Sequence, residues 1–341
     1  MLEIKNEGIV LEPSKLAFEA EGVLNPACVE KDGIIHMFYR AVAKGNFSTI
    51  GYCQIKDTKV VERWDKPILV PEFDYEKGGV EDPRITLLDG TYYMLYTAYD
   101  GQNARIAYAT SVDLMNWKKM GLLSPSITYD LAEDIFRDSV ANRHRYSYFE
   151  RVFRTFNGDN VMLWEKDSML FPRKINGRYA LIHRVMPGIQ LCLFDSFSDL
   201  NNKNYWVDYL ENLEENIILD PEGEFETAYI GGGCPPIETK KGWLLIYHSV
   251  DVEGGRKKYQ AGAALLDLEN PKKVLGRLKR PLFEPIEEWE KIGIVDNVVF
   301  PTGAIVLDGV LYIYYGAADM RIGAKSMHLD ELLKKLKGET E

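Results

Sequence analysis

The sequence has little of several features that would assign it to a specialised class of protein. Its 341 residues contain only four cysteines, scattered without a CxxC pair. This spacing favours buried, reduced thiols over disulfides or a metal site. No apolar run approaches the roughly 20 residues of a membrane helix. The first residues also lack the basic head and apolar segment of a signal peptide. We therefore expect a cytoplasmic protein with no membrane partner.

Positive charge is also scarce. The 41 Lys and Arg residues stand against 52 Asp and Glu residues, which gives a net charge of −11. Nucleic-acid partners require a basic surface, so we expect none. The five histidines show no metal-ligand spacing such as HxxxH, and neither a GxSxG motif nor a GK[ST] phosphate loop occurs. The sequence predicts no metal site, no serine nucleophile and no cofactor.

Aromatic residues, in contrast, are abundant. There are 40 of them, and 20 are tyrosines. Acidic clefts rich in aromatic rings suit sugars, which present an apolar face and many hydroxyl groups. The length is sufficient for a large core that needs no disulfides.

A short pattern occurs five times along the chain. Each copy has a turn pair ending in Gly, followed by an aromatic and β-branched run, and this predicts a β-hairpin. The copies are DGIIHMFYR (32–40), DGTYYMLYT (89–97), NGRYALIHR (176–184), KGWLLIYHS (241–249) and DGVLYIYYG (308–316). Six residues after each glycine stands a ring-bearing residue, and these are Tyr39, Tyr96, His183, His248 and Tyr315.

The spacing of the copies predicts the fold. The glycines are 57, 87, 65 and 67 residues apart, and a further strand-like run follows each hairpin. Units of about four strands at such a period are typical of propeller blades. We predict an all-β fold, a single five-bladed β-propeller domain over residues 1–341. A pair of β-sandwiches is the alternative.

The longest gap contains a partly helical insertion, roughly residues 123–160. It is rich in arginine and aromatic residues. It is either a surface or oligomer-contact excursion or a lid over the mouth of the active site. The oligomeric state stays open, and a homo-oligomer is compatible with the sequence.

The innermost strand of every propeller blade lines the central channel, so polar residues in the segments before the hairpin glycines should converge. Those segments contain Asn25, Glu81, Asp82, Arg84, Lys166, Asp167, Asp296 and Asn297. A second ring is expected at the hairpin ends and includes Arg40, His183, Arg184, His248 and Asp319. The run Gly231–Gly233 indicates close approach of backbone to a ligand. Any one of these polar residues could instead cap a blade, but the set favours a ligand site.

This mixture of groups suits inverting transfer of a glycosyl group to phosphate. Hydrolysis with inversion needs two carboxylates, one to donate a proton and one to activate water. Phosphate is already a nucleophile, so one acid and a set of cations suffice. Asp82, in the segment VEDPR, is the carboxylate we select, while Lys166 and Arg184 are candidates for phosphate contact. Structural ion pairs with Asp167 or Glu165 are the alternative for both cations.

With these residues in place, the chain resembles glycoside hydrolase family 130, the inverting β-mannoside phosphorylases and related mannosidases. The resemblance extends from about Asn25 to Asp319. Its segments are LNPACV, FYRA, GGVEDPRI, LFPRKINGRYALIHR, IGGGCPPIETKKGWLLIYH, YQAGAALLDL, VVFPTGA and YYGAAD. It implies a five-bladed propeller and conversion of a β-mannoside and phosphate into α-mannose 1-phosphate and a shortened acceptor.

The resemblance also implies a role for individual residues. Asp82 corresponds to the catalytic acid, which in the family passes its proton through the 3-hydroxyl of the bound mannose. Other positions correspond to substrate contacts, and these are Asn25, Arg40, Glu81, Tyr259 and Asp319. A third group corresponds to phosphate contacts, namely Lys166, Arg184, His248 and Tyr229.

Two of these positions depart from the family pattern. Lys166 stands where many family phosphorylases have Arg, and Tyr229 stands where many have Lys. Because two cations remain, phosphorolysis is favoured over hydrolysis. Arg143, His144 or Arg145 of the insertion could supply a missing cation. The insertion and the departures favour β-1,2-mannosides, with mannobiose and oligomannosides as substrates, over the β-1,4-mannosylglucose branch.

Three other functions are alternatives to a phosphorylase. An inverting β-mannosidase would need a base opposite Asp82, and the candidates are Glu226, Asp296 and Asp167. A five-bladed furanosidase is disfavoured because no acid stands beside the proline in LNPAC. A non-catalytic sugar-binding or scaffold propeller is disfavoured by the irregular period and the polar ring.

Overall fold

The computed structural model describes residues 2–56, 58–139, 146 and 161–338. In chain order the strands are β1 (Lys5–Leu11), β2 (Gly22–Lys31), β3 (Ile34–Ala43), β4 (Phe47–Lys56), β5 (Lys59–Arg63), β6 (Gly79–Leu88), β7 (Thr91–Tyr99), β8 (Ala104–Ser111), β9 (Lys118–Leu122), β10 (Met169–Leu170), β11 (Tyr179–His183), β12 (Ile189–Phe194), β13 (Ile217–Leu219), β14 (Tyr229–Gly232), β15 (Ile237–Thr239), β16 (Gly242–Glu253), β17 (Arg256–Leu266), β18 (Val274–Arg277), β19 (Val299–Leu307), β20 (Val310–Ala317) and β21 (Arg321–His328). The helices are α1 (Tyr129–Ser139), α2 (Lys203–Glu211), α3 (Leu213–Asn216), α4 (Glu288–Lys291) and α5 (Leu329–Leu336).

These strands form five antiparallel blades, which confirms the predicted five-bladed β-propeller. Blade 1 is β2–β5, blade 2 is β6–β9, blade 3 is β10–β13 and blade 4 is β14–β18. One parallel bridge, between Ser48 and Gly79, joins blades 1 and 2 into a single sheet. Blade 5 combines β19, β20 and β21 with the N-terminal strand β1, which pairs antiparallel with β21. Strand β1 therefore joins the two ends of the described chain within one sheet. The first strands of neighbouring blades contact one another, as β2 contacts both β6 and β19.

The hairpin turns explain the repeat and correct one part of it. In blades 1, 2, 3 and 5 an Asp-Gly or Asn-Gly pair has both φ angles positive, as in Asp32 (55°) and Gly33 (77°). That conformation belongs to the two-residue turn that suits the twist of a hairpin. In blade 4 the pairing of Thr239 with Gly242 puts the glycine in the strand instead of the turn. The register of this blade is therefore shifted by one residue.

Because of that shift, the prediction that His248 is the fourth member of the ring-bearing set is wrong. Tyr247 occupies the position in blade 4 that corresponds to Tyr39 in blade 1, and its hydroxyl donates to the buried Glu226. In each blade the ring at this position, a tyrosine or in blade 3 a histidine, is hydrogen-bonded to a buried glutamate. Every blade has such a pair, namely Glu19–Tyr39 (2.7 Å), Glu76–Tyr96 (2.7 Å), Glu165–His183 (3.0 Å), Glu226–Tyr247 (2.6 Å) and Glu290–Tyr315 (2.6 Å). The residue after each of these rings belongs to a second set, which is Arg40, Thr97, Arg184, His248 and Gly316.

The described part of the insertion packs against the protein. Helix α1 contacts α2, and both contribute to one hydrophobic cluster with residues of blade 3 such as Leu181 and Phe194. The helices α2 and α3 were not predicted from the sequence. The candidate cations Arg143, His144 and Arg145 lie outside the described residues. None of the described helices is both long and apolar enough to cross a membrane. All four cysteines are buried with free thiols.

Candidate active site

The first strands of the blades converge on a pocket of about 310 Å³. Nine of the ten predicted site residues line it, and these are Asn25, Arg40, Asp82, Lys166, Arg184, Tyr229, His248, Tyr259 and Asp319. The tenth, Glu81, lines a wider outer cavity of about 690 Å³, which shares Arg40, Lys166 and Asp319 with the inner pocket. The structure thus brings the whole predicted set together.

An unusual backbone conformation positions three of the polar side chains. Asn25, Asp82 and Asp167 have φ angles of 48°, 51° and 61°. Asn and Asp enter this left-handed region more readily than other residues that carry a side chain. The strand register shifts between Leu24 and Ala27 and again between Glu81 and Arg84, as in a β-bulge. Bulges redirect side chains beside active sites, and here they do so at matching places in neighbouring blades.

Asp82 is held by side chains from another blade. The amide Nδ2 of Asn25 donates to Oδ1 of Asp82 at 2.8 Å, and Nη1 of Arg40 lies 3.8 Å from the same oxygen. The other carboxylate oxygen has no partner among the described residues. Gly316 makes room for this arrangement, because a Cβ at that position would lie 2.2 Å from the side-chain oxygen of Asn25. One oxygen of Asp82 is therefore fixed and the other is open to a ligand.

Glu81, next to Asp82, joins two of the predicted cations. Its carboxylate lies 2.9 Å from Nη2 of Arg40 and accepts from Nζ of Lys166 at 3.2 Å. Burial favours a raised pKa for Glu81, but Arg40 and Lys166 outweigh it and hold the pKa below its usual value. Lys166 is consequently paired with the carboxylate of Glu81.

Asp167 forms a second ion-pair cluster. Its carboxylate lies 2.7 Å from Nη1 of Arg184 and 3.3 Å from Nη2 of Arg84. Burial opposes ionisation of Asp167, yet Arg184, His248 and Arg84 together keep its pKa below the usual value. Arg84 also donates to the backbone oxygens of Asp82 and Gly233, so together with its ion pair to Asp167 it connects blades 2, 3 and 4. The ion pair considered for Arg184 exists, and its acid is Asp167.

The glycine run in blade 4 leaves space for the side chains of this cluster. A Cβ at Gly231 would lie 2.4 Å from Cε1 of His248 and 2.8 Å from Oδ2 of Asp167. Gly231 therefore makes room for two side chains of the site, and the expectation that this backbone approaches a ligand stays a prediction.

His248 is buried beside Arg184, whose Nη1 lies 3.5 Å from the ring Nε2. Burial lowers the pKa of His248 to about 3, with Arg184 and Arg84 contributing and Asp167 opposing. The imidazole is thus neutral near pH 7. Its ring packs on Phe300 with the centroids 4.4 Å apart. A neutral imidazole has one donor and one acceptor nitrogen, which suits contact with an oxyanion or a hydroxyl.

Tyr229 and Tyr259 form the aromatic wall of the pocket. Their hydroxyl oxygens are 2.7 Å apart. Two cations lie near the ring of Tyr229, because Cζ of Arg184 is 5.5 Å and Nζ of Lys257 is 5.7 Å from its centroid. Lys257 and Trp164 line the pocket but were not among the predicted residues. Lys257 is two residues before Tyr259 on β17, so the two lie on the same face of the strand. This spacing could have identified Lys257 from the sequence once Tyr259 was chosen.

Asp319 differs from the other carboxylates. Burial raises its pKa to about 6; Asp82 and Glu81 contribute in the same direction, and Arg40 and Lys166 oppose them. It lies beyond strand β20 with a positive φ of 51°. A carboxyl group that titrates near pH 6 can accept or donate a hydrogen bond to a sugar hydroxyl.

The lining of the pocket does not include four of the other candidates, His183, Glu226, Asp296 and Asn297. His183 is buried against Glu165 and Tyr209. Glu226 is bonded to Tyr247 and Arg277, and Asp296 is exposed at the surface. Asn297 contributes only its backbone oxygen, which accepts from the amide of Tyr259 at 3.0 Å. Within the described residues, no cluster of three or more His, Cys, Asp or Glu side chains could hold a metal ion.

Comparison with known proteins finds relatives that align with nearly the whole chain. A 1,2-beta-oligomannan phosphorylase from Thermoanaerobacter sp. (strain X514) is 34% identical, over 96% of this chain and 97% of that protein. A beta-1,2-mannobiose phosphorylase from the same organism is 37% identical, over 95% of each chain. The structure of the beta-1,2-mannobiose phosphorylase from Listeria innocua, in complex with beta-1,2-mannobiose, superimposes with a TM-score of 0.73 at 23% identity, covering 99% of this chain and 100% of that one.

The family profile covers nearly the whole chain. It matches residues 7–338 and carries the description beta-1,4-mannooligosaccharide phosphorylase. The resemblance seen in the sequence motifs is therefore confirmed along the full set of blades. The chain belongs to glycoside hydrolase family 130.

Proposed function

We propose that this protein is an inverting β-mannoside phosphorylase, with β-1,2-mannobiose and β-1,2-oligomannosides as its substrates. The observation that carries the proposal is the pocket itself. It combines one carboxylate with an open oxygen, Asp82, and a wall that contains Arg184, His248 and Tyr229. Such a pocket suits a reaction with one general acid and an oxyanion as the nucleophile.

In the proposed reaction a phosphate oxygen attacks the anomeric carbon of the terminal mannosyl residue. The bond from this carbon to the bridging oxygen breaks, and that oxygen takes up the proton that originates from Asp82. The family resemblance implies a relay through the mannosyl 3-hydroxyl. The products are α-mannose 1-phosphate and an oligosaccharide one residue shorter. Arg40 and Asn25 orient Asp82, while Asp319 and Tyr259 contact the sugar.

The choice of β-1,2 over β-1,4 linkages rests on two relatives at 34% and 37% identity, each aligned over at least 95% of this chain. Both are named for β-1,2-linked substrates. The family profile is described by a β-1,4 activity, but it represents the family as a whole. The long alignments support the β-1,2 branch, as the sequence features did.

A β-mannosidase is the second candidate, and Asp319 is the observation that favours it. Hydrolysis requires a base for water, and a carboxyl group with a pKa of about 6 is suited to that task. The bases considered from the sequence are less suitable. Asp167 is tied to two arginines, and Glu226 and Asp296 lie outside the pocket.

One experiment separates the two reactions. β-1,2-Mannobiose is incubated with the protein, with and without inorganic phosphate, and the anomeric protons are followed by NMR. Formation of α-mannose 1-phosphate only in the presence of phosphate supports the phosphorylase. Free mannose without phosphate contradicts it and supports the mannosidase. Parallel tubes with β-1,4-mannobiose and mannosylglucose test the linkage.

We further propose that the enzyme acts in the cytoplasm and that it forms a homo-oligomer. The free buried thiols support a reducing compartment. A phosphorylated sugar formed inside the cell is charged and does not diffuse across a membrane. Fractionation of the native cells tests the location, and light scattering tests the oligomeric state.

A further inference from the structure

We propose that Lys257, at the rim of blade 4, binds the phosphate that enters this pocket and the phosphoryl group of the sugar phosphate that leaves it. The inference rests on the proposed phosphorylase function and assigns to it a residue that the family pattern did not supply. Its basis is the charge distribution of the pocket, the length of one hairpin and the position of two cations on one aromatic ring.

The charges of the pocket leave Lys257 in excess. The carboxylates that line the inner pocket or pair with its cations are Glu81, Asp82, Asp167 and Asp319, and the other cations are Arg40, Arg84, Lys166 and Arg184. Lys166 contacts Glu81, and Arg184 contacts Asp167. These eight groups balance one another. Lys257 has no carboxylate within 4 Å among the described residues, so its charge is available to an incoming anion.

An extended hairpin brings Lys257 to this place. Beyond the ring that bonds the buried glutamate, β16 continues for six residues, from His248 to Glu253. The corresponding strands of blades 1, 2 and 5 continue for only two to four residues. The added length of β16 pairs with the start of β17, where Lys257 lies opposite Val252. Blade 4 therefore has a projecting ribbon that the other three blades lack.

Lys257 and its neighbour Lys258 have different surroundings. Lys257 lines the pocket, whereas Lys258 forms an ion pair with Glu284 on the other face of the ribbon. Successive side chains of a strand point to opposite faces, so this difference follows from the strand itself. The two lysines thus provide a site residue and a matched control one residue apart.

The chemistry of the wall fits a phosphoryl group. Arg184 and Lys257 both lie against the ring of Tyr229, at 5.5 and 5.7 Å from its centroid. Arg184 offers a planar fork of donors, while a lysine offers a mobile ammonium with three donors. A phosphate beside Tyr229 would be reached by both cations and by the neutral ring of His248. Because Lys257 is exposed, its side chain can follow phosphate on entry and release.

The test compares the wild type with Lys257→Met, Lys257→Arg and Lys258→Met. Initial rates are measured against phosphate at saturating β-1,2-mannobiose, and against α-mannose 1-phosphate in the synthetic direction. We expect Lys257→Met to raise the KM for both anions about tenfold with little change in kcat, since a charged hydrogen bond is lost. Lys257→Arg should restore most of the affinity, and Lys258→Met should behave as the wild type.

Unchanged anion KM values in Lys257→Met would overturn the inference while leaving the phosphorylase intact. A changed KM for the acceptor sugar alone would also overturn it, because Lys257 would then belong to the acceptor side. If the wild type shows no phosphate-dependent turnover, the proposed function fails separately. In that case calorimetric titration with inorganic phosphate still tests whether Lys257 contributes to phosphate binding. Weaker phosphate binding by Lys257→Met than by Lys258→Met would support the site, and equal binding would exclude it.

Discussion

Asn25 and Asp82 are 57 residues apart, yet the amide of one donates to the carboxylate of the other at 2.8 Å. They occupy matching left-handed positions in the first strands of blades 1 and 2. The orientation of the proposed catalytic acid is therefore a property of the junction between two blades. We therefore propose that Asn25 positions Asp82, in addition to the substrate contact that the family resemblance implies for it.

The first prediction concerns Asp82→Asn. This substitution keeps the size of the side chain and its place beside Asn25 but removes the proton donor. We expect turnover of β-1,2-mannobiose to fall at least about 100-fold, the lower end for a general acid. Asp296→Asn, at an exposed carboxylate outside the pocket, is the control. More than about one hundredth of wild-type activity in a folded Asp82→Asn protein would contradict the assignment.

The second prediction concerns Arg184→Ala. Loss of the guanidinium should raise the KM for phosphate about 10- to 100-fold, because hydrogen bonds to charged groups are lost, and should leave the sugar KM near its wild-type value. Asp167 keeps Arg84 as a partner, so the variant should fold. Arg178→Ala removes a half-exposed arginine just before β11, paired with Asp195, and serves as the control. A change in the KM for the sugar without a change in the KM for phosphate would contradict the phosphate role of Arg184 and would place it beside the sugar.

Part of this site could be predicted because each blade repeats the same local pattern. A Gly-containing turn and a polar residue in the first strand are local features, and Asp82 and Arg40 follow from them once five blades are assumed. Residues that depend on how blades pack against one another were harder to find. Trp164 lines the pocket between blades 2 and 3, and no short motif marks it.

The pairing of the N-terminal strand was likewise not predictable from a local sequence pattern. Strand β1 pairs with β21, so Lys5 lies opposite Ser326. No hairpin connects these strands, and the closing pair therefore has no turn signal. The shifted turn of blade 4 is a second case. In that blade Gly242 lies in the strand and not in the turn. The repeat position predicted for His248 is therefore occupied by Tyr247.

The third prediction concerns the pH dependence of stability. The pKa of Asp319 is raised from 3.8 to about 6 in the folded protein. Between these values the unfolded chain loses the proton first, so ionisation of Asp319 lowers the free energy of unfolding as the pH rises. Asp319→Asn should therefore be more stable than the wild type at pH 7.5, by about 1–2 kcal/mol after allowance for solvent in the pocket, although less active.

Thermal unfolding at two pH values checks this prediction. The gain should be largest above about pH 6.5 and should disappear below about pH 3, where Asp319 is protonated in both states. Asp296→Asn, which removes an exposed carboxylate, controls for the change in net charge. An Asp319→Asn protein that is less stable than the wild type at pH 7.5 would show that contacts with Arg40 or Lys166 outweigh burial.

The last prediction separates structure from catalysis at Glu226, which was considered as a hydrolytic base. Its buried carboxylate accepts from Tyr247 and from Nη2 of Arg277, each at 2.6 Å. Glu226→Gln should lower the free energy of unfolding by about 2–3 kcal/mol, because a mostly buried arginine loses its counter-charge. The kcat of the folded variant should stay near the wild-type value at low temperature. Glu238→Gln, at a half-exposed glutamate of the same blade, should change neither quantity. A large loss of kcat without a loss of stability would instead restore Glu226 as a catalytic candidate.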